Sequence, residues 1–61
     1  MGIRYFFKDE LASRKAISDC WNLGYWAHTV TKGSGDSCKA IIEVSELAEG
    51  LIESRFKDFI I

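Results

Sequence analysis

The sequence predicts a small α+β domain of element order β-α-β-β-α. Its three-stranded sheet has the order 1-3-2, contains antiparallel pairing and carries both helices on one face, a ferredoxin-like fold lacking its last strand. Three observations predict it. The chain opens on a short β-branched and aromatic run, two segments with apolar residues every three to four positions follow at a distance from each other, and between them lie two β-prone runs separated by Gly33-Ser34-Gly35-Asp36.

The first run, Ile3 to Phe7, predicts a strand with Ile3, Tyr5 and Phe7 on one face and Arg4, Phe6 and Lys8 on the other. Asp9 is placed to cap a helix whose positive start favours Glu10, and Leu11 or Ala12, Ala16, Ile17, Cys20 and Trp21 form its apolar stripe. Asn22-Leu23-Gly24 ends it, with Gly24 in a left-handed stop that brings Tyr25 back onto Cys20. Trp26 to Thr31 and Cys38 to Val44 then form a hairpin across the Gly-Asp turn. On its second strand Cys38, Ala40, Ile42 and Val44 face the core, while Lys39, Ile41 and Glu43 face away. Two registers suit the first strand: one buries Trp26, His28 and Val30, and a slip by one residue buries Tyr25, Ala27 and Thr29. The pattern favours Trp26 and Val30 in the core. Ser45 caps a last helix whose apolar positions Leu47, Ala48, Leu51, Ile52, Phe56, Phe59 and Ile60 run to the end of the sequence, with Glu53 and Lys57 as a supporting pair.

In this order the hairpin's last strand lies in the middle of the sheet. One sheet face is then uncovered, presenting Arg4, Phe6, Lys39, Ile41 and Glu43, and the backbone of Ile3 to Phe7 lies at a free edge. A chain of 61 residues, 48% hydrophobic and 13% aromatic, makes one dense domain and leaves apolar surface for a protein partner or a second copy, so a homodimer is expected as one outcome. The first eight residues do not have the pattern of a signal peptide and no apolar run of membrane-spanning length occurs, which predicts a cytoplasmic protein without a membrane. Cys20 and Cys38 do not form a CxxC and are read as reduced core residues, although their pairing is not settled by the sequence.

Candidate chemistry is sparse. His28 has no local partner to make it a general base, and Cys20, His28 and Cys38 lack the paired spacing of zinc ligands. Asp9 and Glu10 are accounted for by the helix start. Gly33-Ser34-Gly35 joins two strands and lacks the Gly-Lys-Ser/Thr ending of a phosphate loop. No catalytic, cofactor or metal residue is therefore assigned, and the protein is expected not to be an enzyme. Residues 1–40 carry six basic and four acidic side chains, a balance of +2; residues 41–61 carry two and five, a balance of −3. This acidic end, with Glu46, Glu49, Glu53 and Asp58, disfavours a general nucleic-acid binder and suits a basic groove on a partner.

The stretch from Asp9 to Val44, a helix ending in Trp21-Asn22-Leu23-Gly24-Tyr25 followed by a hairpin across a Gly-Asp turn, resembles the half-domain of the bacterial regulator of ribonuclease E activity B. That resemblance covers a little over half the chain and implies a non-enzymatic protein that binds and modulates an enzyme. In size and lack of proline the chain also looks like small phage-encoded inhibitors. The expected function is a protein-binding regulator or inhibitor of a larger enzyme, of a nucleic-acid-processing or phage-defence kind, acting by occlusion. Its expected contacts are Arg4, Phe6, Lys39, Ile41, Glu43, Glu46, Glu49 and Glu53. The alternative is a nucleic-acid binder using Arg4, Lys8, Lys32 and Lys39 with Phe6 or Trp26; the central strand, however, has no aromatic residue where an RNA-recognition sheet stacks its bases.

Overall fold

Local chemistry sets the ends of the first helix. In a computed structural model that describes residues 2–31 and 38–61, the Asp9 carboxylate accepts the Leu11 amide at 3.1 Å and starts α1, Glu10–Asn22. At the other end Gly24 has φ +87°, the Tyr25 amide donates to Cys20 O at 2.8 Å and the Gly24 amide to Trp21 O at 3.0 Å. Both bonds of a Schellman stop are present, as predicted.

Strands β1 (Gly2–Phe7), β2 (Ala27–Thr31) and β3 (Ala40–Ser45) form one sheet in the order β1-β3-β2, with both pairings antiparallel. The Gly-Asp turn expected between β2 and β3, and Lys32 before it, lie outside the described residues. Tyr5 and Phe7 of β1, and Ala40, Ile42 and Val44 of β3, are buried. They pack with Ala12, Ala16 and Cys20 of α1, with Ile52 of the last helix and with Phe56 just after it, so both helices lie on one face of the sheet. The Phe7 and Phe56 rings meet edge to face at 6.0 Å. Cys20 and Cys38 are both free and buried.

Expectations for β2 and for the apolar stripe of α1 are corrected. Ala27, not Trp26 or Val30, fills the core from β2, while Trp26 is 45% exposed and Val30 38%. The buried side of α1 is built from Ala12, Ser13, Ala16 and Cys20, which lets the helix approach the sheet too closely for an indole, and a methyl group fits. A bulge between Thr29 and Thr31 then sets Thr31 opposite Ile41. Of the alternatives Leu11 and Ala12 in the apolar stripe of α1, Ala12 is the buried one, and Trp21, assigned to the same stripe, is exposed because small residues take the buried side.

The last helix is shorter than its periodicity suggests. Ser45 does cap it, accepting the Leu47 amide at 3.3 Å, but the chain makes a 3-10 turn over Glu46–Ala48, an α-helix α2 over Glu49–Arg55 and a second 3-10 turn over Lys57–Phe59. Phe56 is buried, Leu47 is outside the core, and the expected Glu53 and Lys57 pair is replaced by Glu53 with Tyr5 and by Arg55 with Asp19 at 3.6 Å.

Breaking the helix frees Ile60 to extend, and this changes the edge of the sheet. Ile60 pairs antiparallel with Phe7, the Ile61 amide donates to Phe6 O at 2.8 Å, and the Lys8 amide to Phe59 O at 2.7 Å. The edge of β1 is therefore not open along its whole length. Residues Ile60 and Ile61 occupy the beginning of a fourth-strand position.

Candidate functional site: the open face of the sheet

Because side chains alternate along a strand, the residues between the buried ones are all carried to the face that no helix among the described residues covers. Arg4 and Phe6 of β1 and Ile41 and Glu43 of β3 are brought together there, in the pairs Arg4 with Glu43 and Phe6 with Ile41. Exposed Lys39 lies just before β3. From β2 the register adds His28, directly opposite Glu43, and Trp26, just before β2, stacks its ring on His28. Phe6 and Trp26 are each 45% exposed.

Glu43 organises one end of this face. Its Oε1 lies 3.7 Å from Arg4 Nε and 3.6 Å from His28 Nε2, and the His28 ring stacks on Trp26 at 5.7 Å with 18° between the planes. The indole also reaches across the sheet to β1: a Cβ on Gly2 would stand 2.5 Å from Trp26 Cη2 and 2.5 Å from Glu43 Oε2. Gly2 is thus the gap into which the ring and the carboxylate fit. Sequence reasoning left His28 without a partner and overlooked Gly2. The signal for His28 was available in the hairpin register, since setting Ala27 opposite Val44 places His28 opposite Glu43. The Arg4–Glu43 ion pair and the His28–Glu43 contact are partly solvated, so they orient the side chains more than they stabilise the fold.

The acidic candidates are dispersed. Glu46 and Glu49 are exposed on the helical side, apart from the open face. Glu53, also from that side, accepts a hydrogen bond from Tyr5 Oη at 3.2 Å. Burial, this bond and the charges of Glu53 and Glu49 push the Tyr5 phenol up to about 12. Burial, with the Asp19 charge adding to it, also raises the Cys20 thiol and keeps it in its neutral form.

Cys20, His28 and Cys38 are not brought together: the thiols are buried and the imidazole lies on the open face. Among the described residues no group of three His, Cys, Asp or Glu side chains converges as a metal site, and no helix is long and apolar enough to cross a membrane. The arrangement on the open face offers a flat aromatic and aliphatic surface framed by charge, which suits recognition of another surface. In comparisons with known proteins the chain matches no family model, no curated protein and no solved structure.

Proposed function

We propose that the protein is a non-enzymatic regulator or inhibitor that occludes a larger enzyme with the open face of its sheet. One observation carries this reading: Phe6, Ile41 and Trp26 lie on a face that no described element of the fold covers, rimmed by Arg4, His28, Lys39 and Glu43. Large apolar side chains surrounded by a polar rim are the composition of a binding hot spot. The resemblance of the helix and hairpin to an enzyme-modulating half-domain points the same way. Glu46 and Glu49, on the other side, are suited to a basic groove, such as that of a nucleic-acid-processing or phage-defence enzyme. Two free buried cysteines fit a reducing cytoplasm as the working compartment.

Capture from the native cell, followed by mass spectrometry, tests this with the wild type and the Trp26→Glu variant side by side. An enzyme retained by the wild type and lost from a folded variant supports it. The same enzyme retained equally by both removes the open face from the function.

A specific observation favours a second reading. Trp26, expected in the core, instead joins Phe6 on the face that carries Arg4 and Lys39, so two aromatic rings lie beside cations as in sheets that stack single-stranded bases. Anisotropy of a labelled single-stranded oligonucleotide, titrated at rising salt, separates the readings. Binding that weakens steeply with salt and disappears in Trp26→Glu supports nucleic acid, and flat titrations at low salt exclude it.

A further inference from the structure

Trp26 is fitted at two places on the open face. At Gly2 a Cβ would stand 2.5 Å from Cη2 of its ring, so the indole seats where β1 has no side chain. On β2 the His28 ring lies nearly parallel to it, with 18° between the planes and centroids 5.7 Å apart. His28 is the only histidine of the chain and its side chain is 57% exposed, so it exchanges its proton with solvent. Imidazole changes charge between about pH 5 and 8, a range in which no other unperturbed side chain does. The charged groups around the ring are few. From β3, Glu43 Oε1 stands 3.6 Å from His28 Nε2, and from β1, Arg4 Nε stands 3.7 Å from the same oxygen. Both distances exceed hydrogen-bond length, so the oxygen lies between two cationic groups and is held firmly by neither. Lys39 precedes the far end of β3, and no helix among the described residues covers the ring.

We propose that the proton on His28 is a switch for the open face: the imidazolium seats Trp26 against Gly2 and fixes Glu43 beside it, and the neutral imidazole releases the indole. Arg4 already offsets Glu43, so the switch draws on the charge of the ring itself and not on an unbalanced carboxylate. An imidazolium over an indole gains cation–π attraction, and the 5.7 Å between the rings is within its range. The same form offers Glu43 a charge-assisted contact, whereas the neutral ring loses the first interaction and weakens the second. Seated, Trp26 presents its ring in one fixed place, and a fixed anchor loses less freedom when a partner closes on it. This consequence rests on the protein-binding reading above and adds regulation to it, with occlusion strongest on the acid side. The switch itself belongs to the free chain.

Nuclear magnetic resonance of the full chain between about pH 5.5 and about pH 8 is the test. The two indole N–H signals serve as probe and control. Trp21 Nε1 donates to Ala27 O at 2.9 Å and its signal should stay in place, whereas the Trp26 signal should move together with the His28 ring protons. The ratio of seated to released indole, read from the contact between Gly2 Hα and the Trp26 ring, should rise about two- to fivefold on acidification, the amount a cation over a solvated ring contributes. His28→Gln should abolish the response with an unchanged circular dichroism spectrum, and His28→Arg, charged throughout the range, should hold the seated form at both ends. In capture at one neutral pH, His28→Arg should retain more of the enzyme than His28→Gln. A Trp26 signal that is flat while the His28 protons move, or that still moves in His28→Gln, overturns the switch, and equal capture by the two variants overturns its bearing on binding. Loss of the enzyme in Trp26→Glu together with a flat Trp26 signal overturns the switch alone. A responding Trp26 signal in a chain whose Trp26→Glu variant still captures the enzyme removes the occlusion reading and supports the switch.

Discussion

Tyr5 sits with its ring in the core and its hydroxyl on Glu53, and this divided position has a consequence for pH. The phenol, with an ordinary value of 10.0, is pushed up to about 12 in the folded chain, chiefly because burial disfavours the phenolate and secondly because the Glu53 carboxylate accepts its proton in a hydrogen bond. The folded state therefore holds this proton more tightly than the unfolded state does. Its contribution is fully present below pH 10 and is lost as pH rises from 10 through about 12. Urea titrations across that window should show the wild-type midpoint falling more steeply than that of Tyr5→Phe, which keeps the ring and removes the titrating group. Parallel profiles would show that the phenol ionises as readily in the fold as outside it. Trp26 shows the other side of the same scale. Its position depends on a missing Cβ at Gly2 two strands away, a dependence that neither residue's local sequence carries.

Among the elements, α1 is the one whose ends are fixed by residues at its own boundaries. Gly24 ends the helix at φ +87°, and, its chain neighbours apart, no atom of the described residues lies within 4 Å of where its Cβ would stand. The cost of a substitution there is consequently conformational and not steric crowding. A non-glycine residue in this region costs about 1–2 kcal/mol, and a β-branched one more. Gly24→Val should thus lower the thermal midpoint by roughly 4–8 °C for each kcal/mol lost, and Gly24→Ala by less. A midpoint unchanged in both would mean that the Schellman bonds from Tyr25 and Gly24 do not hold the helix end. This boundary was legible in the sequence because capping is local, as was the strand order, which follows from right-handed crossover and hairpin pairing. The burial of Tyr5, Phe7, Ile42 and Val44, and with it the open face of Arg4, Phe6, Ile41 and Glu43, was legible from simple alternation. The face of β2 was not. Trp26 and Ala27 compete for the core, and the competition is decided by how closely Ala12, Ala16 and Cys20 let α1 approach, which is a tertiary property. The end of α2 was hidden for a similar reason: apolar residues at Phe56, Phe59 and Ile60 continue a helical period, yet the free amide and carbonyl groups of β1 offer Ile60 and Ile61 a strand instead.

At the scale of the whole molecule, one sheet separates a packed side from an open side, and adjacent residues of β1 fall on opposite sides of that division. Phe7 is 0% exposed against Phe56, whereas Phe6, one residue earlier, is opposite Ile41 on the uncovered face. The same substitution at the two positions should therefore have opposite outcomes. Phe7→Glu places a carboxylate among apolar groups with no partner, a cost of several kcal/mol. For a domain of 61 residues the total stability is on the order of 3–9 kcal/mol, so this variant should be largely unfolded. Phe6→Glu changes a surface with Arg4 two residues away on the same face, and should leave the stability measured by urea within about 0.5 kcal/mol of the wild type. Circular dichroism and urea titration of the pair decide the matter. If Phe6→Glu unfolds while Phe7→Glu survives, the sheet is packed on the other side, and every residue assigned to the open face belongs to the core. If both unfold, the two faces are buried alike, and the aromatic surface proposed for binding is already occupied within the fold or by a second copy, a distinction that sedimentation of the wild type makes directly.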